Sequence, residues 1–356
     1  MHIAVTKTTT PKSRPAEADL GFGKHFTDHF FTMEYTADAL WHEPRIRPYG
    51  PLAMDPASAV LHYGQAMFEG AKAFRWKDGR IVLFRPDAHA RRMVKGAPRL
   101  CMPTPTEAEM LAAMKELVRV DAEWVPSAPG TSLYLRPTLV ATEAFLGVRP
   151  ANNYLYFIIA SPSGNYYGGK GLKAVRIWVE TQEVRAPRGG LGATKAGANY
   201  AASLHAAYAA KQAGFDQVLW LDAKDHEFVE EVGTMNLFAV IGGTLVTPPL
   251  SDSILGGITR DSVLAMAKDL GLKAEERSLS LKELMAGHQS GAVTEVFGTG
   301  TAAVVSPVGE LAFKGGKLTF NDGQPGPVSL KLFEEISGLQ QGLKPDRYGW
   351  MHPVAG

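Results

Sequence analysis

The chain reads as two α+β domains, and three observations predict this. Its 356 residues are enough for two ordinary domains and a large core. Strand-like and helix-like stretches mix in both halves. Near the middle, "SGNYYGGKG" at 163–171 is rich in glycine and flanked by apolar strands, the pattern of a domain connection. The join is expected near residues 164–175.

The elements follow in order. "HFTDHFFTMEY" (25–35) reads as an aromatic-rich strand, and "DGRIVLFRP" (78–86) as a turn feeding a strand. In 105–125, Met110, Leu111, Met114, Leu117 and Val118 have the spacing of an amphipathic helix. "SLYLRPTLVA" and "NYLYFIIASP" follow as strands. After "LKAVRIWVE", a helix is predicted from Asn199 as N-cap to Gly214 as its terminal glycine. "FDQVLWLD" reads as a buried strand, and "NLFAVIGGTLVTP" as a hairpin turning at Gly242-Gly243. "TRDSVLAMAKDLG" (259–271) reads as a helix with Thr259 as N-cap and Gly271 just past its end.

Composition narrows the function. Hydrophobic content of 45% and charged content of 21% fall in the range of soluble globular proteins. A net charge of +1 gives no electrostatic reason to bind nucleic acid or an anionic membrane. The longest apolar run, "YLYFIIA" at 154–160, is too short to span a bilayer. The single cysteine, Cys101, leaves no internal disulfide framework and suits a reducing compartment, so a cytoplasmic protein is expected. Cys101 itself, in "RLCMP", is expected to be a buried small hydrophobe. Residues 1–18 are polar, carry Pro11 and Pro15 and lack the apolar core of a secretory signal, so they read as a disordered arm.

The chemistry centres on "GLGATKAGANY" (190–200), where Lys195 stands among small residues with Tyr200 five positions on. Glu231 in "VEEVGTMNLF" supplies a carboxylate. "LGGITRDS" (255–262) and "FGTGTAAV" (297–304) are glycine loops, the first running into a helix start where backbone N–H groups can bind an anion. Singly, each has a bland reading: a surface lysine, a turn carboxylate, a capped helix, a loop. Together they suit pyridoxal 5′-phosphate, which needs an amine for a Schiff base, N–H donors and a cation for its phosphate, and an acid beside its ring nitrogen. His25, Asp28 and His29 form no recognisable metal motif on a strand, so no metal is expected.

The residues also resemble a known family. "FGKHFTDH", "LHYGQAMFEGAKAFR", "LFRPDAHARRM", "GTSLYLRP", "KAGANY", "EEVGTMNLF", "LGGITRDS" and "FGTGTAA" stand in the order and spacing of the branched-chain amino acid aminotransferases. These are class IV aminotransferases with the D-amino-acid-aminotransferase-like fold. The resemblance runs from about Phe22 to near the C-terminus. It implies an α+β fold-type IV enzyme. A small N-terminal α/β domain (19–166) and a connection (167–175) would lead to a larger domain (176–356) with a barrel-like core, and the cofactor would lie between the domains. It implies reversible amino transfer between leucine, isoleucine or valine and 2-oxoglutarate.

Carried over by position, Lys195 matches the Schiff-base lysine, Tyr200 the tyrosine near the phenolic oxygen, and Glu231, rather than Glu230, the ring-nitrogen carboxylate. Arg92, rather than Arg91, matches the phosphate arginine. Gly257, Ile258 and Thr259 match the phosphate loop, Gly300 and Thr301 the second phosphate contact, and Leu255 the residue on the ring face. Phe22, Tyr63, Tyr134, Arg136, Val148, Tyr166, Thr234, Thr301 and Ala302 match substrate-pocket positions, with Arg136 implicated in accepting glutamate. Tyr63 and Val148 would reach a partner's site in a homodimer. One departure is Ala303-Val-Val-Ser306 where animal mitochondrial relatives carry Cys-x-x-Cys. A D-amino acid aminotransferase or an aminodeoxychorismate lyase would be expected to lack much of "FGKHFTDH" and "GTSLYLRP". A cofactor carrier without turnover is the alternative outside enzymes.

Overall fold

A computed structural model describes residues 1–164 and 171–354. By its contacts the chain forms two compact units. The first comprises Met1–Gly168, Thr194–Gly197 and Gly338–Gly356, and the second Gly169–Ala193 and Ala198–Ser337. The expected ranges are 19–166 and 176–356; the first unit also takes in residues 1–18, and the boundary falls between 168 and 169. The tail returns to the first unit, where Met351–Pro353 pairs with Ile81–Phe84, and the four residues around Lys195 also belong there.

The first unit is built on one sheet. Its central strands are Ser132–Ala141 and Tyr154–Ser163, ten residues each and antiparallel. His29–Thr36 and Leu40–Pro48 extend it on one side, and Ala71–Arg75 and Ile81–Phe84 on the other. The helices Pro86–Gly96 and Glu107–Val120 contribute Met93, Met110, Met114 and Leu117 to a core shared with Leu133, Leu135 and Ile158 of the sheet. The second helix starts at a capping box, in which Thr106 and Glu109 satisfy each other's backbone N–H groups.

Residues 1–18, expected as a disordered arm, make specific contacts with the rest of the first unit. Ala4–Val5 adds a short parallel strand beside Leu40–Pro48. Lys12 Nζ donates to the carbonyls of Phe26 and Thr27 at 3.2 and 2.9 Å, and the Glu17 carboxylate accepts from the N–H groups of Ser127 and Ala128. The Thr8 N–H donates to His29 Nε2, and His29 Nδ1 faces Asp121 at 2.6 Å, so both ring nitrogens are engaged. Among the described residues no cluster of three or more His, Cys, Asp or Glu could hold a metal.

The second unit closes six strands into a barrel. They are Val175–Val179, Gln217–Leu221, Val229–Val232, Met235–Ile241, Val293–Gly300 and Val304–Phe313, and Val229–Val232 pairs with Met235–Ile241 to shut the ring. Gly242 and Gly243, both at positive φ, make the two-residue turn between Ile241 and Thr244.

Two helix starts differ from expectation. Asn199 is not an N-cap; it lies inside Gly197–Ala202, a short helix followed by a second, Leu204–Gln212. Its side chain leaves the helix to donate to the Leu191 carbonyl at 2.7 Å. The helix Ile258–Asp269 begins two residues early, with Gly257 as its cap in place of Thr259, which lies in its first turn. Cys101, expected to be buried, is exposed, because it follows the turn Ala97–Leu100 in a left-handed conformation (φ 53°). No helix among the described residues is long and apolar enough to cross a membrane.

Candidate active site

Lys195 is held in the first unit by its backbone. Its carbonyl accepts from the Phe68 N–H at 3.1 Å, and Ala196 forms an isolated bridge with Met67. Its ammonium lies 4.9 Å from the centroid of the Phe68 ring. The Arg136 guanidinium sits over the same ring at 4.6 Å and donates from Nη2 to Tyr134 Oη at 3.1 Å. Phe22 packs edge-on against Tyr134, with centroids 4.9 Å apart. Tyr134 and Arg136 share a sheet face because they are two apart on one strand. A Cβ at Gly70 would lie 1.9 Å from Tyr134 Oη, so this approach of ring to backbone requires glycine. The result is an apolar wall edged by a guanidinium, an ammonium and a phenol.

Arg92 stands on the helix Pro86–Gly96, one turn from His89 on the same face. Glu69 engages it twice, Nε to Oε1 at 2.7 Å and Nη2 to Oε2 at 2.8 Å. His89 Nδ1 adds a contact to Glu69 Oε2 at 2.8 Å. Burial pushes the Glu69 carboxyl up, but the charge and hydrogen bonds of Arg92 and His89 outweigh it and hold the group well below the usual carboxylate range. Burial pulls His89 down. Neighbouring Arg91 is exposed and pairs with Asp87 and Glu107 instead.

In the second unit, Glu231, Tyr200 and Thr234 line one small pocket together with Arg185 and Asn199. Glu231 is 2% exposed; Oε1 accepts from the Leu255 N–H at 2.8 Å and Oε2 meets Arg185 Nε at 3.0 Å. The Asn236 side chain donates to the Leu255 carbonyl at 2.8 Å. Two side chains of the barrel therefore fix the loop that leads into Gly257, Ile258 and Thr259. A Cβ at Gly257 would lie 1.9 Å from Asn236 Oδ1.

No side-chain hydrogen bond caps this helix start, and the first N–H groups of such a helix are suited to binding an anion. Thr299, cross-strand from Asn236, has a buried hydroxyl with no hydrogen-bond partner among the described residues. Gly300 and Thr301 follow it. The turn 301–303 then reaches Val304, which holds a left-handed φ of 64° that is unusual for a β-branched residue. Each unit by itself carries groups of the kind a phosphorylated pyridine needs: the first an amine and an arginine, the second a carboxylate, a phenol and a glycine-rich helix start.

The remaining predicted pocket residues are placed differently. Tyr63 and Val148 are exposed, at 43% and 86%, beside the exposed Leu61, Phe145 and Leu146. The Tyr63 hydroxyl donates to the Leu146 carbonyl. Thr301 and Ala302 are half-buried in their turn. Tyr166 lies outside the described residues, as do 167–170 of the expected connection. Sequence reasoning missed Phe68, Glu69, His89 and Arg185. Glu69 is the one with a local signal, an acid inside the apolar run "AMFEGA".

A six-stranded barrel and an α/β unit are the architecture into which the family match falls. The chain belongs to the class IV aminotransferases: residues 67–311 match the amino-transferase class IV family. It is 48% identical over 353 residues to branched-chain-amino-acid aminotransferase 2 of Bacillus subtilis, covering 99% of this chain and 97% of that protein. The solved branched-chain amino acid aminotransferase of Escherichia coli superposes with a TM-score of 0.76 at 30% identity, covering 87% of this chain and 97% of that one. That of the T.th. strain, solved with pyridoxamine 5′-phosphate, gives 0.75 at 31% identity over 91% and 98%. The same T.th. enzyme is also solved with N-(5′-phosphopyridoxyl)-L-glutamate and with 4-methylvaleric acid.

Proposed function

We infer that the protein is a branched-chain amino acid aminotransferase that moves an amino group reversibly between leucine, isoleucine or valine and 2-oxoglutarate. Identity of 48% over nearly the full chain to an enzyme named for that activity carries the reading. The wall of Phe22, Phe68 and Tyr134 edged by Arg136 supports it, since one surface must accept both an apolar side chain and a carboxylate. Burying a branched aliphatic side chain contributes about 1.5–3 kcal/mol. An unpaired carboxylate in the same place would be costly.

Pyridoxal 5′-phosphate, when bound, supplies a ring that takes up the electron pair released at the substrate Cα. Lys195 is the attachment lysine. Its Nζ removes the Cα proton as a general base and returns a proton as a general acid. Arg92, the amides of Gly257, Ile258 and Thr259, and Gly300 with Thr301 would hold the phosphate. Glu231 would pair with the ring nitrogen, Tyr200 with the phenolic oxygen, and Leu255 would pack on the ring. Arg136 and Tyr134 receive the glutamate carboxylate, while Tyr166, Thr234, Thr301 and Ala302 complete the pocket. The exposed apolar group Leu61, Tyr63, Phe145, Leu146 and Val148 supports a homodimer. A lone cysteine suits the cytoplasm.

The deciding experiment has two parts. A panel of L- and D-amino acids against 2-oxoglutarate should give turnover with L-leucine, L-isoleucine and L-valine and none with D-alanine. Borohydride should fix the cofactor to Lys195, and Lys195→Ala should bind it reversibly without turnover. A protein that neither binds the cofactor nor transaminates these substrates would overturn the reading. Sedimentation should give twice the chain mass of 38.4 kDa.

A further inference from the structure

The strand Val229–Val232 carries two adjacent carboxylates, and both are buried: Glu230 at 6% and Glu231 at 2% exposure. Neighbours on a strand point to opposite faces. Glu231 faces the cavity with Tyr200 and Thr234, and Glu230 a separate groove with Asp222 and Lys224. Their partners differ in kind. Glu230 accepts from the Ser253 hydroxyl, a neutral donor, and burial pushes its carboxyl up. Glu231 meets a guanidinium, which cannot be deprotonated in a protein.

Arg185 has no freedom to leave that contact. It is 8% exposed. Nη1 donates to the Ser253 carbonyl at 2.8 Å and Nη2 to the Gly192 carbonyl at 3.2 Å, so all three nitrogens are committed. The two acceptor segments are in close contact, since a Cβ on Gly192 would lie 2.3 Å from the Ser253 carbonyl oxygen. Burial without a cation favours the protonated form of a carboxyl group. A neutral acid is a weaker acceptor than a carboxylate for the N–H of a protonated pyridine.

We propose that Arg185 is a positioning residue that keeps Glu231 ionised and in one orientation, so that Glu231 can pair with the cofactor's ring nitrogen. The proposal rests on the reading of Glu231 as the ring-nitrogen carboxylate. Arg185 touches neither substrate nor cofactor in this role. It acts through the one buried acid that it touches, and its charge also draws Glu230 down against the burial that pushes it up. The Leu255 N–H takes part, because it donates to the other carboxylate oxygen and so fixes the plane of the group from a second side.

The test uses the holoenzyme reconstituted with pyridoxal 5′-phosphate labelled with ¹⁵N in the ring. The ¹⁵N shift is followed from pH 6 to 9 in the parent, Arg185→Lys, Arg185→Met and Glu231→Gln, with cofactor affinity measured by equilibrium dialysis. The parent and Arg185→Lys should keep the protonated-ring signal. Arg185→Met should move toward the neutral-pyridine position and titrate within this range. Its kcat should fall about ten- to a hundredfold with KM for leucine changed less than about threefold. If Arg185→Met does not fold, Arg185→Gln, which keeps donors without charge, carries the same expectation. An Arg185→Met or Arg185→Gln signal identical to the parent's overturns the proposal while Glu231→Gln, losing the signal, leaves the reading of Glu231 standing. A parent-like signal in Glu231→Gln overturns both.

Discussion

Glu69 and Arg92 are locked by two parallel hydrogen bonds of 2.7 and 2.8 Å, with Glu69 2% and Arg92 14% exposed in the side chain. Removing one partner from a buried bidentate pair leaves the other charge uncompensated and costs about 3–5 kcal/mol. Glu69→Gln should therefore lower stability by that order at pH 7, read by urea unfolding of the cofactor-free protein. Because the folded carboxyl lies below its unfolded value of 4.5, its stabilisation is present above pH 4.5 and fades as the pH falls. The gap between parent and variant should narrow from pH 6 to pH 3. A gap that stays constant would show that the pair acts through packing and not through charge.

Arg136 and Tyr134 lie two residues apart and touch at 3.1 Å. Arg136→Gln should lower the catalytic efficiency for glutamate and 2-oxoglutarate about ten- to a hundredfold, the scale of a lost charge-assisted hydrogen bond. The leucine half-reaction, followed in single turnovers, should change much less. Gly70→Ala is the contrasting variant. It displaces the Tyr134 ring and should impair both half-reactions alike. Equal losses in Arg136→Gln would make Arg136 a support for the wall and nothing more.

Lys72 is buried in the strand Ala71–Arg75, and burial lowers its pKa from 10.5 to about 8. Between those two values the unfolded chain holds the proton that the folded chain has released, so stability rises with pH across this window. The difference corresponds to at most about 3 kcal/mol. Lys72→Met should flatten the rise in Tm of the parent between pH 8 and 10. A parent whose Tm relative to the variant falls over that range would contradict the assignment.

Cys101 is exposed, contrary to what its apolar neighbours in sequence predict. Iodoacetamide should label it to one equivalent in the native protein, within about tenfold of the rate of a free thiol. Cys101→Ser should retain full activity, and mild peroxide should leave the parent nearly unchanged. Labelling that needs denaturant would show the thiol to be enclosed.

Local signals in the sequence were the legible ones. Alternation in "SLYLRP" put Tyr134 and Arg136 on one face, and the Gly242-Gly243 pair located its hairpin, because both depend on neighbours alone. Lys195, Tyr200 and Glu231 stood out only jointly, through the family's spacing. The N-terminal arm did not, because its order comes from distant acceptors: Lys12 reaches Phe26 and Thr27, and Glu17 reaches Ser127. Cys101 follows its left-handed backbone, which no neighbouring residue announces. Arg185 was invisible for a related reason. Its partners, Glu231 and Ser253, are brought to it by barrel closure.

The four residues Thr194–Gly197 group with the first unit although the chain on both sides of them belongs to the second. Lys195 takes its place through a backbone bond to Phe68, more than a hundred positions earlier. Closing so long a loop costs entropy before the contact rewards it. The position of the Lys195 amine is therefore set by a segment remote from it in sequence, and a change near Phe68 can displace it while leaving its own neighbours intact.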